Sequence, residues 1–257
     1  MENAIKLYKD TKTMTIRCLR ISFRNTDTIV TSVLIPVLMM LLFSYVFGGA
    51  MDVGNGSYVN YIVPGILIQC IGQGVSNTSI SVSNDVHKGI VDRFCTMPIC
   101  KSSILMGHAI ESILRSTMST ILVIIVAFVV GFRPSADIMG WALIFVVLLL
   151  YIVMISWLSI YFGILAKSAE GAGAFAVFAI VLPYISSGFV PVDTMPKLLR
   201  IFAEHQPMTP IIDTIRSLSL GTALDVQTVI VAIVWCIALG ILFYILSIRL
   251  FKRKIMA

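Results

Sequence analysis

Apolar residues gather into six runs, each near the roughly 20 residues an α-helix needs to cross the hydrocarbon core of a bilayer. They lie at 28–50, 58–84, 108–132, 138–166, 171–192 and 226–248, and predict six transmembrane helices in a single all-α integral membrane domain over 1–257. The first has a dense centre, VLIPVLMMLLFSYVF, and the sixth is an unbroken apolar helix. The third is free of charge only from Ser116 to Phe132. Its helix is therefore expected to start outside lipid, where Glu111 and Arg115 are spaced for an i, i+4 ion pair, and to enter near Ser116.

The segments between the runs carry helical patterns of their own. Over 1–27, Ile16, Leu19 and Phe23 recur at i, i+3, i+7, with Arg17, Arg20 and Arg24 one step round. This suits an interfacial helix with its arginines toward anionic headgroups, or a solvated basic stretch that only fixes topology. Over 86–103, Ile90, Phe94 and Met97 fall at i, i+4, i+7, beside Lys88 and with Asp92 and Arg93 on other faces. Gly89 would start a short amphipathic helix there and Pro98 would end it. Such a helix can plug an apolar face into a groove on a partner, although a plain surface hairpin carries the same pattern.

The stretch 183–221 holds five of the nine prolines: Pro183, Pro191, Pro196, Pro207 and Pro210. Thr194 as N-cap predicts a helix through about His205, and Thr209-Pro210 a second one stopped by Gly221. In the first, Leu198, Leu199 and Phe202 oppose Lys197 and Glu204; in the second, Ile211, Ile215 and Leu218 oppose Asp213 and Arg216. Neither can span, so 193–221 reads as two short helices between spans five and six that lie on the outer leaflet or re-enter it.

Span two is not uniformly apolar. Gln69, Gln73, Ser76, Asn77, Ser83 and Asn84 recur at helical spacing, with Gly65, Gly72 and Gly74 nearby. Polar side chains face protein or water when they sit at membrane depth. Gln69, Gln73, Ser76 and Asn77 thus line a substrate pathway or subunit interface, or act as glue between neighbouring helices.

Composition explains why lipid is required. The chain is 58% hydrophobic and 12% charged, where soluble domains carry about 25% charged residues. Its mean hydropathy is +0.97. The net charge of +6 is not a nucleic-acid footprint, because the basic residues sit at both ends and in one short loop. With six spans, the N-terminus, 85–115, 167–170 and 249–257 hold six, four, one and four Lys/Arg, fifteen of the nineteen. By the positive-inside rule both termini are cytoplasmic, with no cleavable signal peptide at the start. The five cysteines form no CxxC pair and imply no disulfide framework.

Enzyme signatures are missing from the sequence. No GxxxxGK[ST] phosphate loop occurs, and His87, His108 and His205 are scattered without a metal-binding pattern. An intramembrane enzyme would need paired catalytic groups at membrane depth, and the runs supply none. A secondary, ion-coupled multidrug transporter is the alternative transport reading, but it would place ionisable residues mid-span, where five of the runs have none.

Two motifs bring in a family. Asp85-Val-His-Lys-Gly-Ile-Val-Asp-Arg-Phe-Cys-Thr-Met-Pro-Ile resembles the cytoplasmic loop of type-2 ABC exporter permeases, in particular the daunorubicin-resistance-like drug efflux branch. Phe189-Val-Pro-Val-Asp-Thr-Met-Pro, followed by Phe202-Ala-Glu-His-Gln-Pro-Met-Thr-Pro and by Arg216 before Gly221, resembles that branch's C-terminal signature. The likeness covers nearly the whole chain. It departs at Cys95 and Cys100, positions often basic or small in the branch. The resemblance implies a permease subunit of an ATP-driven exporter in a prokaryotic plasma membrane, moving amphipathic drugs or lipid-like compounds. It implies a homodimer or a heterodimer with a related permease, served by two copies of an ATP-binding subunit. ATP and Mg would be bound by that partner, with no cofactor in this chain. Residues 89–98 would be the coupling helix that docks on the ATPase, and 193–221 the outer re-entrant pair capping the pathway.

Overall fold

The computed structural model describes residues 2–48 and 58–256, and among them every regular element is helical. Helix α1 (Glu2–Arg24) is followed by α2 (Thr26–Ile29), a π-helical stretch Val30–Leu34, α3 (Ile35–Leu41) and a second π-helical stretch Leu42–Phe47. Then come α4 (Tyr58–His87), the short α5 (Ile90–Cys95), α6 (Ser102–Val130), α7 (Ile138–Leu165) and α8 (Ala169–Val181). After 3-10 turns at Leu182–Ile185 and Val192–Thr194, the chain closes with α9 (Lys197–His205), α10 (Met208–Leu220) and α11 (Val226–Met256). Among the described residues three helices, α6, α7 and α11, are long and apolar enough to cross a membrane. Positions 49–50 of the first expected span lie outside the described residues.

Helix α4 is the axis of the molecule, packed by α6, α7 and α8, with α11 laid against α7 and α10. The main core runs through Met40, Ile62, Ile66, Tyr151, Ile155, Ile211 and Ile212. A smaller core of Val82, Val91, Ile104, Leu105, Trp157, Ile160 and Phe251 closes the end that carries both termini, called here the terminal end. Helix starts follow from local chemistry: Asp137 caps α7 by accepting from Gly140 N at 2.7 Å, and Ser168 caps α8 by accepting from Gly171 N at 3.1 Å. At the other end of α7, Lys254 Nζ donates to the Ile164 carbonyl.

Prolines shape the irregular parts. Pro36 carries no N–H, so the Ser32 carbonyl loses its i+4 donor. The Cys70 thiol donates to that carbonyl from α4 at 3.5 Å. Pro183 likewise removes the i+4 donor of the Ala179 carbonyl, which faces Gly72 so closely that a Cβ there would lie 2.8 Å from it. Pro183 also ends α8, a departure from the expected span over 171–192. Regular helix stops at Val181, a 3-10 turn continues to Ile185, and 186–191 bends back over the far end of α4.

Helix α1 packs along the first half of α6 through Met14, Thr15 and Cys18, all buried. Ile5, Tyr8, Ile16 and Phe23 are left on an exposed, mainly apolar face that also carries Lys12, and Lys9, Arg20, Lys6 and Arg24 follow round the helix at 100° per residue. The expected helix over the N-terminus is present, with a third, protein-facing side that the arginine spacing did not announce.

Candidate functional site

Gly89, at φ +67°, turns the chain from α4 into α5, a left-handed conformation that a side chain makes costly. Two residues on, Val91 is buried in the terminal-end core, while Asp92 and Arg93 are exposed and Ile90 and Phe94 are half-buried. The helix ends at Cys95, so Met97 lies beyond it in the following turn, and Pro98 comes three residues after the end. The i+7 member of the expected apolar face is thus displaced. Even so, Ile90, Phe94 and Met97 meet at one open cleft of about 620 Å³, lined also by Arg17, Arg93 and Thr96. Lys88 is exposed beside it and borders a second cleft between α1, α4 and α6.

Arg17 ties this turn to the rest of the molecule. Its guanidinium carbon lies 5.1 Å from the centre of the Phe94 ring, a cation–π distance. The same group donates from Nη1 to Asp85 Oδ2 at 2.6 Å and from Nη2 to Asp85 Oδ1 at 2.8 Å. Asp85, at the last turn of α4, is also 3.1 Å from His108 Nε2 on α6, and His108 Nδ1 is 3.7 Å from Cys18 Sγ on α1. Burial alone would raise the Asp85 carboxyl, but the hydrogen bonds from Arg17 and His108 outweigh it and hold the group well below the usual carboxylate range.

A polar seam continues inward from this junction. Arg115 Nε donates to Glu111 Oε1 at 2.9 Å, the i, i+4 pair expected from spacing, and both residues are buried. The guanidinium also reaches Thr78 Oγ1 at 2.7 Å, the Gly74 carbonyl at 3.3 Å and Ser32 Oγ at 3.5 Å. Ser112 Oγ then accepts from Thr78 and from Ser156 of α7, at 3.1 and 3.0 Å. The helix containing the pair starts at Ser102, six residues before the expected span.

The polar stripe of α4 divides. Gln73, Ser76, Asn77, Ile80, Ser81 and Asn84 are the positions between Ile71 and Asn84 that are not fully buried, and they form one helical face of which only Ile80 is apolar. Asn77 Nδ2 donates to Thr31 Oγ1 and Ser32 Oγ, each at 3.2 Å. Gln69 continues the row but is completely buried, and its Nε2 donates to the Tyr184 hydroxyl. The row therefore opens at the terminal-end half of α4 and is closed one turn further on.

The far end is built on Arg216. Its guanidinium lies 3.9 Å from the Tyr61 ring centre, donates to Asp213 Oδ1 at 2.6 Å and to the Ser187 carbonyl at 2.5 Å. Tyr61 OH also donates to the Ser187 carbonyl (3.0 Å), Tyr58 OH to that of Phe189 (3.2 Å), and Gln206 Nε2 to that of Ile185 (2.5 Å). The carbonyls of Ile185, Ser187 and Phe189 are satisfied in this way by side chains from α4, from α10 and from the turn between α9 and α10.

The two short helices differ from each other. In α10, Ile211, Ile215 and Leu218 are core residues and Gly221 stops the helix at φ +62°, as expected. In α9, Leu198 and Phe202 are exposed, so its apolar face points away from the protein. Neither threonine caps as the sequence suggested. Pro196 and Pro207 occupy the N-cap positions, Thr194 Oγ1 donates to the Pro191 carbonyl, and Thr209 Oγ1 to that of Ala203. Pro210 sits buried in the first turn of α10, where a missing N–H is harmless.

The chain is similar to known proteins over most of its length. Residues 9–220 match the ABC-2 type transporter family. The chain is 28% identical over 225 residues to a daunorubicin resistance ABC transporter permease protein of Streptomyces coeruleorubidus, covering 86% of this chain and 78% of that one. It is 25% identical over 226 residues to a probable doxorubicin resistance ABC transporter permease protein of Mycobacterium tuberculosis, covering 86% and 80%. With a match over most of its length and three helices able to cross a membrane, the chain belongs to the ABC-2 type transporter family.

Proposed function

We propose that the chain is the membrane-spanning permease subunit of an ATP-driven exporter, energised by a separate ATP-binding subunit that docks on α5. The supporting observation is the mounting of α5. Gly89 sets its direction, Val91 anchors it, and the Arg17–Asp85–His108 junction links it to α1, α4 and α6. Ile90, Phe94 and Met97 meanwhile stay on an open cleft. A load applied at Phe94 is thus carried into α4 and α6 by charged hydrogen bonds rather than lost in a loose loop.

In this reading α2–α3 with its π-helical stretches, α4, α6, α7, α8 and α11 make six crossings. Both termini and α5 are cytoplasmic, following the Lys/Arg distribution, and the membrane is a prokaryotic plasma membrane. Helix α1 lies in the headgroup layer, with Ile5, Ile16 and Phe23 toward lipid and its basic face toward phosphates. Residues 186–221 cap the outer end, α10 re-entering and α9 lying on the surface. The half-exposed row Gln73, Ser76 and Asn77 faces the pathway or a second permease copy. Two such subunits and two ATP-binding subunits, which hold ATP and Mg, form the transporter. Amphipathic drugs or lipid-like compounds suit the amide- and hydroxyl-bearing row.

The test is to co-express the chain with its ATP-binding subunit and measure efflux and ATP hydrolysis in Phe94→Ala and Arg93→Glu. Both variants should fold and assemble but hydrolyse ATP without matching transport. Unchanged transport in both would overturn the assignment of α5, and transport that persists without any ATPase would point to ion coupling.

A further inference from the structure

At the terminal end, four helices enclose an apolar cleft of about 440 Å³ that the transport reading does not use. Its walls are Leu105 and Met106 of α6, Tyr244 and Ile248 of α11, and Leu7 of α1, over a floor formed by Trp157. The floor is firm: Trp157 is buried and meets Tyr244 edge-on, ring centres 4.7 Å apart. Two lysines line the same cleft, Lys101 at the start of α6 and Lys252 near the end of α11. Neither makes an ion pair among the described residues.

The order of residues along α11 gives the cleft a direction. Tyr244, Ile248 and Lys252 follow one another at i, i+4, i+8 and so form one row, about 12 Å long at 1.5 Å per residue. The row is apolar at its deep end and cationic at its mouth. Across from it, Lys101, Leu105 and Met106 repeat the same order on α6. The positive end of the α6 dipole adds to the field at the mouth. An occupant must offer a flexible apolar chain below and an anionic group above. A neutral amphiphile would offer the two exposed ammonium groups no counter-charge.

We infer that this cleft is a binding site for an anionic phospholipid, its phosphate between Lys101 and Lys252 and an acyl chain against Leu105, Ile248 and Trp157. The site goes beyond the transport reading and needs only that α6, α7 and α11 lie in a bilayer.

The test uses Trp157 as reporter in the full chain, with Trp141→Phe and Trp235→Phe, reconstituted in nanodiscs. Brominated phosphatidylglycerol and brominated phosphatidylcholine are titrated separately as quenchers. Phosphatidylglycerol should half-saturate at the lower mole fraction, by roughly fivefold for each lysine engaged. Lys101→Gln with Lys252→Gln should remove the difference, whereas Arg253→Gln, which removes a charge from the same helix end, should keep it. Equal quenching by the two lipids overturns the site. So does an Arg253→Gln variant that loses the preference as fully as the lysine pair. If the tryptophan background does not fold, native mass spectrometry of the unmodified chain decides: retained phosphatidylglycerol that falls to the phosphatidylcholine level in the double lysine variant supports the site, and equal retention refutes it.

Discussion

Arg17 and Asp85, 68 residues apart, form a two-pronged ion pair of 2.6 and 2.8 Å that joins the N-terminal helix to the last turn of α4. The carboxylate is nearly buried and the guanidinium is about three-quarters covered, so the pair is more than a surface contact. Arg17→Ala leaves Asp85 with His108 alone and should destabilise the fold by about 2 kcal/mol, the range for hydrogen bonds to charged groups. Thermal unfolding in detergent of Arg17→Ala, Asp85→Asn and the double variant should show strong coupling, with the double variant losing less than the two single losses added.

The same pair sets a pH window. The Asp85 carboxyl is held below its ordinary value, so its stabilisation is fully present above the ordinary carboxylate pKa of about 3.9 and is lost as pH falls below it. The gap in melting temperature between the unmodified chain and Asp85→Asn should hold steady from about pH 6 to 5, below the ordinary imidazole range of His108 3.1 Å away, and shrink below about pH 4. A gap that stays unchanged below about pH 4 would show that the carboxylate is not so held.

Close backbone approach makes α4 intolerant at its far end. A Cβ on Gly65 would lie 2.5 Å from the Gly188 carbonyl oxygen, a backbone atom that cannot step aside. Gly65→Ala should therefore lower stability by about 1–3 kcal/mol or prevent folding. Gly173→Ala in α8 meets only ordinary contacts, nearest Ile80 Cδ1 at 3.5 Å, and should be neutral or slightly stabilising. Melting temperatures of the two variants, measured side by side, check the contrast.

Arg216 depends on the shape of its side chain as well as its charge. Lysine at that position keeps one positive charge but cannot stack flat on Tyr61 while donating to Asp213 and Ser187. Arg216→Lys should lose about 1–3 kcal/mol, and limited proteolysis should find earlier cleavage over 186–195 than in the unmodified chain.

Helix positions were largely legible because burial in lipid demands long apolar runs. The fourth run over 138–166 and the helix Ile138–Leu165 nearly coincide. The bend after Pro183 was not, since Ser186 to Val192 stays free of charge and a hydropathy count runs straight through it. The turn into α5 is legible in Gly89, but its anchor, Val91, is an unremarkable letter beyond it. The polar seam carries a partial signal: His108, Ser112, Arg115 and Ser119 recur turn by turn on α6, while spacing by itself predicts only the Glu111–Arg115 ion pair. Its partners lie on α1, α2–α4 and α7, far off in sequence, and only packing brings them together. Arginine spacing puts Arg17 toward lipid headgroups or in a solvated basic stretch, because it cannot show that a carboxylate waits on another helix.

Coupling through α5 is tested most directly by photocrosslinking in the assembled transporter. A photoreactive residue is placed at position 94, at 97 or at the buried position 91, and the chain is co-expressed with its ATP-binding subunit. Crosslinks to that subunit are expected from 94 and 97 and not from 91. An assembled complex that gives no crosslink from 94 or 97, or gives one instead from position 201 at the far end, would contradict docking on this helix.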